Sequence, residues 1–507
     1  PKTGDGRPKT GDGRPKQEDP LPGGVRGGWI SDPLPGGVRG GFLRYTNAYF
    51  MIQQSFLRPF ATLLILTLVS MSAAAQIGRR FPSEKKVVTD PVTGIQLTFL
   101  TSAPAGDSKI YQTHRQWTAD GKWLIFRSSR VPGETLAVNE ETGDIVQVTD
   151  GGYMGTLCIA KKSMKLYYMR MALRQVGQTK GGPVQVVEVD LEKLFADSES
   201  GSLKPENEYQ RVCGTIPAAM EAGGDMALDA DEEWVYFRVG KTEAAKHLPA
   251  GTKFEPPFGP RNMGAGPSGI GSMNITTKEI RFVVALPFQT GHIQANPWVP
   301  GEIVFCWETG GKAPQRIWIV RSDGTGLRPL YPEAEYEWVT HEVVITKDEV
   351  AFALMGHRPV GTGKENQAND QPARPPDPAN PGQEPGWGPS GTREKPTGLG
   401  IVNTRTGEMT IAGQTPSGSG LWHVNGSADG RWAVGDDFAR NIYLIDRRTH
   451  EMMLLSARHK VTAADHPHPT FSPDGTRIEI QSAMLSENNR SMNICIIPVP
   501  EEWLKRK

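Results

Sequence analysis

Two histidines separated by one residue, His466 and His468, stand in the run Asp465-His466-Pro467-His468-Pro469-Thr470-Phe471-Ser472-Pro473-Asp474-Gly475. Paired imidazoles can hold a divalent cation or exchange protons near neutral pH. The second half of the run is a hairpin. Asp-Gly supplies the positive-φ positions of a tight turn, and Arg477-Ile478-Glu479-Ile480-Gln481 alternates as a strand does. The two histidines therefore begin a strand and, two residues apart, point to the same side of it.

The hairpin is written repeatedly. Gln116-Trp117-Thr118-Ala119-Asp120-Gly121 leads into Trp123-Leu124-Ile125-Phe126, and Ser427-Ala428-Asp429-Gly430 into Trp432-Ala433-Val434. Looser copies precede Ile303-Val304-Phe305, Val350-Ala351-Phe352 and Trp234-Val235-Tyr236-Phe237. His114, His423 and His468 each lie six residues before the turn aspartate, His292 and His466 eight before theirs, and His341 matches His468 with one residue allowed for a shorter turn. Six of the ten histidines thus mark the start of a repeat's first strand. In a propeller that strand lines the central channel, so these imidazoles converge at its mouth.

The elements that must position them read as short strands from about Lys85 onward, in seven repeats beginning near His114, Gly152, Gly224, His292, His341, His423 and His466. The expected fold is all-β, a seven-bladed β-propeller over residues 76–507. Several repeats close with an apolar-Asn/Asp-x-x-Thr phrase, as in Val138-Asn139-Glu140-Glu141-Thr142 and Val402-Asn403-Thr404-Arg405-Thr406. Residues 358–398, rich in Pro, Gly, Asn and Gln, form an insertion loop within the fifth repeat, and Asp197 to Glu208 a charged loop.

Lys plus Arg and Asp plus Glu number 56 each, which leaves no net field to attract nucleic acid or an anionic membrane. Residues 1–50 repeat two short Pro/Gly-rich phrases and hold little to bury; they read as disordered or upstream sequence. Residues 51–75 then carry Arg58, the apolar run Phe60 to Met71 and the small residues Ser72-Ala73-Ala74-Ala75, the order of a secretory signal with Met51 as the start. Cleavage after Ala75 gives a periplasmic or secreted protein with no stable membrane anchor. Cys158, Cys213, Cys306 and Cys495 show no Cys-x-x-Cys pattern, and Cys306 and Cys495 sit inside apolar strands.

With the histidines placed, the chain from about Asp90 onward resembles the oligogalacturonate lyases of pectin-degrading bacteria, a family of seven-bladed propellers. The resemblance rests on Leu286-Pro287-Phe288-Gln289-Thr290-Gly291-His292, Phe305-Cys306-Trp307-Glu308-Thr309-Gly310, Arg316-Ile317-Trp318-Ile319-Val320-Arg321-Ser322-Asp323-Gly324, Trp338-Val339-Thr340-His341-Glu342 and His466-Pro467-His468-Pro469. It implies that His292 is the Brønsted base and that His341, His466 and His468 bind a divalent metal, Mn²⁺. Two departures stand out. The family's fourth ligand, a glutamine three residues before His-Pro-His, is Ala463 here, and the proline after Gly-His is Ile293.

The implied chemistry is β-elimination on an acidic oligosaccharide. A cation neutralises charge building on the uronate carboxylate, and a neutral imidazole removes the adjacent C5 proton. Arg115, Arg127 and Arg130 are candidate carboxylate clamps, and His114 and His423 candidate substrate-binding residues. Two other readings fit the repeats: a non-catalytic periplasmic propeller serving as a binding scaffold, and a lyase for a different uronic-acid polymer.

Overall fold

The repeated hairpin is built the same way each time. The hydroxyls of Thr118, Ser427 and Ser472 donate to Asp120, Asp429 and Asp474 at 2.5 Å. The N–H groups of Gly121, Gly430 and Gly475 close the turn on the carbonyl of the hydroxyl residue at 2.9 Å. Those glycines have φ of 70°, 74° and 70°, which a Cβ would strain. The Asn phrases close the outer hairpins: Asn139 Oδ1 accepts from Glu141 and Thr142, and Asn403 Oδ1 from Arg405 and Thr406.

These hairpins assemble into seven antiparallel sheets. The computed structural model describes residues 76–172, 182–257, 263–334, 337–355, 397–413 and 420–506, all within the compact unit Ser72–Lys507. The stretches 1–50 and 51–75, and all of the insertion 358–398 but its last two residues, lie outside the described residues. Blades one to six begin with Asp107–Lys109, Met154–Ile159, Met226–Leu228, Thr290–Ala295, Trp338–Thr346 and Val424–Gly426, and each adds its next three strands outward in chain order. The seventh begins with Thr470–Phe471 and takes its two outer strands, Gln96–Phe99 and Lys86–Thr89, from the start of the described chain. The pairing of Phe99 with Cys495 and Thr98 with Ile496 closes the ring. The seven-bladed propeller expected from the repeats is the fold observed.

An apolar cluster fills each of the seven seams between neighbouring blades. Ile125 and Val146 meet Leu157 and Tyr168 between blades one and two, and Trp432 and Leu444 meet Ile480 and Cys495 between six and seven. Leu124 and Phe126 meet Ile494 and Ile496 across the closing seam. The other four seams are packed in the same manner. All four cysteines are free and buried, and Cys158, Cys213 and Cys495 lie within these layers.

The charged loop expected over Asp197 to Glu208 starts inside a helix, Leu191–Ser200, and only its remainder is a connection, ending in the short turn Glu206–Glu208. Leu191, Leu194, Phe195 and Ser198 form the helix's buried stripe, Asp190 caps its start by accepting from Lys193 N, and Gly201 ends it in the left-handed conformation. The stripe packs on blades one and two, with Phe195 stacked on Trp123 at 4.1 Å. Acidic and serine residues on its outer face mask that period in the sequence.

Because the ring is closed by packing and strand pairing alone, the closing strand is a sensitive point. Phe99→Ala removes a ring that is 0% exposed in the closing blade, whereas Val87 in the neighbouring strand is 61% exposed. Urea unfolding should show a loss of about 3–5 kcal/mol for the first change and under about 0.5 kcal/mol for Val87→Ala. Equal losses would contradict closure through this strand.

Candidate active site

Four described histidines share a costly backbone conformation, and three of them, all but His450, meet at one place. His292, His341 and His468 have φ of 50°, 55° and 51°, the left-handed region that costs a residue with a side chain about 1–2 kcal/mol. In blades four and five the histidine opens a bulge in the innermost strand, where the register shifts between Gly291 and Gln294 and between Thr340 and Val343. Blade two has glycine in its own inner-strand bulge, Gly155 with φ of 70°. A bulge of this kind re-aims a side chain. The three imidazoles meet around Tyr111 of blade one, whose ring lies 5.0 Å from that of His292 and 5.1 Å from that of His468. Its hydroxyl is 2.7 Å from His341 Nδ1.

On one side of Tyr111, His292 is set among charges. Its Nδ1 is 2.9 Å from Glu342 Oε1, and its Nε2 is 3.5 Å from Glu308 Oε2. Arg316 reaches the same two carboxylates, at 2.8 Å from Glu342 Oε2 and 3.5 Å from Glu308 Oε2. Burial pushes the His292 imidazolium down, but Glu342 and Glu308 outweigh it and leave the pKa raised above 6.5. Glu342, 0% exposed in its side chain, is pushed up by burial and pulled further down, to about 2, by Arg316 and His292. His292, Cys306 and Glu308 bring their ligand atoms within 4.8 Å of one another. A cation does not fit there, because Arg316 already neutralises the carboxylates and burial pushes the Cys306 thiol well up.

On the other side four imidazoles gather. The His423 ring is 3.8 Å from His468, 4.2 Å from His341 and 5.0 Å from His466. Each ring has its Nδ1 next to an oxygen: His341 to Tyr111, His468 to Gln112 Oε1 at 2.8 Å, His423 to Asp436 at 3.2 Å and His466 to Asp436 at 3.3 Å. His341 Nε2 is buried with no hydrogen-bonding partner. His468 Nε2 comes within 3.1 Å of Asp465 Oδ2 and His466 Nδ1 within 3.3 Å of Asp436, both outside hydrogen-bond geometry. Burial holds His341 well below its usual pKa and His423 at about 3, with neighbouring imidazoles adding to it. Rings held at one nitrogen and unpartnered at the other, as those of His341, His423 and His468 are, form a donor set that a divalent cation takes. The residues present therefore fit a metal.

No family model matches the chain, and no curated protein does. Among solved structures, an oligogalacturonate lyase in complex with manganese aligns with a TM-score of 0.61 at 18% identity, over 85% of this chain and 100% of that one. An oligogalacturonate lyase from Vibrio parahaemolyticus aligns with 0.60 at 18% identity, over 84% of this chain and 100% of that one. The fold is that of the oligogalacturonate lyases. The histidine mouth is thus built on an oligogalacturonate-lyase fold, with the imidazole cluster supplied by blades five to seven and His292 by blade four.

Of the residues singled out in the sequence, His292, His341, His423, His466 and His468 are brought together. His114 is not free to join them, since its Nε2 lies 2.9 Å from Met226 O and its Nδ1 2.8 Å from Thr113 Oγ1. Arg130 is spent on structure: it binds Glu84 through Nε and Nη2 and Asp107 through Nη1. The candidate carboxylate clamp thus already faces two carboxylates of the protein itself. Arg127 reaches Gly155 O at 3.4 Å. Arg115 lines a cavity of about 110 Å³ on the hairpin-turn side of the channel, with His114, Lys161 and Trp298, which does not include the imidazole cluster. Ala463 packs against Ala483 and Met492 in an apolar cluster.

Tyr111, Gln112 and Asp436 carry no motif and were missed. Tyr111 and Gln112 sit just upstream of the first hairpin, and Asp436 ends the second strand of blade six. Glu308, Arg316 and Glu342 lie inside the phrases that mark blades four and five, yet nothing in those phrases says that they converge on one imidazole.

Since the His292 pKa is raised on folding, its contact with Glu342 stabilises the fold fully below the unfolded value and is lost as pH rises through the folded one. NMR titration should place His292 above 6.5 in the parent protein and at or below that value in Glu342→Gln, where burial acts with less opposition. Equal values in the two proteins would contradict the assignment.

Proposed function

We propose that the protein is a lyase that cleaves uronate-containing oligosaccharides by β-elimination, with His292 as base and a divalent cation, Mn²⁺ by analogy with the manganese-bound neighbour, on His341, His466 and His468. The observation that carries the reading is the meeting of His292, His341 and His468 around Tyr111, each in a strained left-handed conformation. Strain repeated at one mouth is a mark of function, and a passive binding platform has no use for it.

The chemistry follows from what each side chain can do. Glu342 holds His292 Nδ1 and fixes the ring, so that Nε2 is the nitrogen available to take a proton. Nε2 removes the C5 proton of the uronate, the electron pair forms the C4–C5 double bond, and the O4-linked sugar departs and is protonated by solvent. A bound divalent cation supplies Lewis-acid neutralisation of the uronate carboxylate as charge develops. Glu308, beside Nε2 at 3.5 Å, is placed to take up the proton or to hold the imidazolium once formed. The fitting substrate is an anion, an acidic oligosaccharide, met in the periplasm or outside the cell if residues 51–75 act as the expected signal.

His292→Ala should lower elimination by about 10²–10⁴-fold, read from the ultraviolet absorbance of the unsaturated uronate, while metal content stays unchanged. Near-parental turnover would overturn the assignment of the base. Because the base acts when neutral and its pKa is raised, kcat/KM should climb with pH through a limb above 6.5. Glu342→Gln should move that limb to lower pH.

A further inference from the structure

We infer that His423 is a further ligand of the divalent cation, an imidazole that takes the place of the oxygen donor lost at Ala463, and that Asp436 is the positioning residue that aims it. The inference rests on the metal reading above but not on the reaction. Ala463 offers only a methyl group, packed against Ala483 and Met492. His423 is instead the ring that touches the three others, at 3.8, 4.2 and 5.0 Å from His468, His341 and His466.

Asp436 shows how the ring is held. Its Oδ1 accepts the backbone N–H of His423 at 2.6 Å, and both its oxygens lie 3.2 Å from His423 Nδ1. The same carboxylate is 3.3 Å from His466 Nδ1. The carboxylate thus holds the His423 ring by the nitrogen that is not needed for ligation and lies beside that of His466, the carboxylate–histidine arrangement that fixes a ligand's tautomer and orientation. No hydrogen bond engages His423 Nε2 among the described residues, whereas both nitrogens of His114, at the same distance before its turn, are used by the protein. Asp436 is itself 0% exposed, and among the described residues its ion-pair partners are His423 and His466. Beyond these imidazoles the carboxylate is compensated only at longer range, by Arg440, and a cation on the far side of the rings adds positive charge where the carboxylate is buried. A set rich in imidazole suits a borderline divalent ion, Mn²⁺ through Zn²⁺, over Mg²⁺ or Ca²⁺.

The test uses the full chain stripped of metal and titrated with Mn²⁺ and Cu²⁺ in the absence of any sugar. Calorimetry should show Mn²⁺ affinity reduced about 10–100-fold in Asp436→Asn and by at least as much in His423→Ala, with no change in His114→Ala. His423→Gln, which returns an amide oxygen, should recover part of the loss. Pulsed EPR of the Cu²⁺ form should count one coupled imidazole fewer in His423→Gln than in the parent. Circular dichroism checks that each variant is folded, and His423→Gln keeps the test open if His423→Ala is not. Parental affinity together with an unchanged imidazole count in His423→Gln overturns the inference. Parent protein that binds the ion through His423 yet never eliminates a uronate leaves the inference standing and removes the lyase reading. Parent protein that binds no divalent ion removes both.

Discussion

The site depends on one local constraint, a residue with a side chain held in the left-handed conformation at the start of an innermost strand. An ordinary strand would point that side chain along the pleat, into the seam between blades. A left-handed residue opening a bulge turns it towards the channel. The conformation suits glycine, and blade two has glycine at its inner-strand bulge. Blades four and five place histidine at such a bulge, and blade seven places His468 in the same conformation just before its innermost strand, accepting about 1–2 kcal/mol each. The exchange of backbone ease for three converging imidazoles is the feature on which the metal reading, the base and the role of Tyr111 all rest.

Such strain persists only in a scaffold that over-determines it. The closed ring does this. With every seam filled by apolar side chains and the last blade completed by Gln96–Phe99, no blade can relax without opening its neighbours. Residues as far apart in sequence as Tyr111 and His468 are thereby kept at ring-contact distance, 5.1 Å. The two halves of the mouth are also electrostatically distinct. Around His292, two carboxylates and a guanidinium favour a ring that gains and loses a proton. Around His423, burial favours neutral rings suited to ligation. One fold keeps an imidazole suited to proton exchange and imidazoles suited to ligation side by side by giving them different neighbours.

Much of this was legible in the sequence because propeller blades repeat. The Asp-Gly turns, the Asn phrases and the spacing of His423 and His468 to their turns gave the blade number and placed these two just before an innermost strand, whereas His114, expected at the same entry, follows the first strand of blade one, Asp107–Lys109. What spacing could not give was the partner of each nitrogen. His114 and His423 stand the same distance before their turns, yet Met226 O occupies the one and Asp436 orients the other. Arg130 looked like a free cation at a strand end because its partner Glu84 lies 46 residues away in the chain. Tyr111 and Gln112 escaped notice because they act from the connection between two strands, where no repeat pattern applies. The helix Leu191–Ser200 was hidden by its charged outer face, although its buried stripe has helical spacing.

The central claim is that the rings of His341, His423, His466 and His468 form a cation site, while the His292 group does not. Anomalous scattering at the manganese edge, from crystals grown with Mn²⁺, tests it directly. A peak within about 2.0–2.4 Å of the Nε2 atoms of these histidines, a distance typical of nitrogen and oxygen ligands, is the predicted result. A peak between His292, Cys306 and Glu308, or none with the protein folded and saturated, would contradict the account.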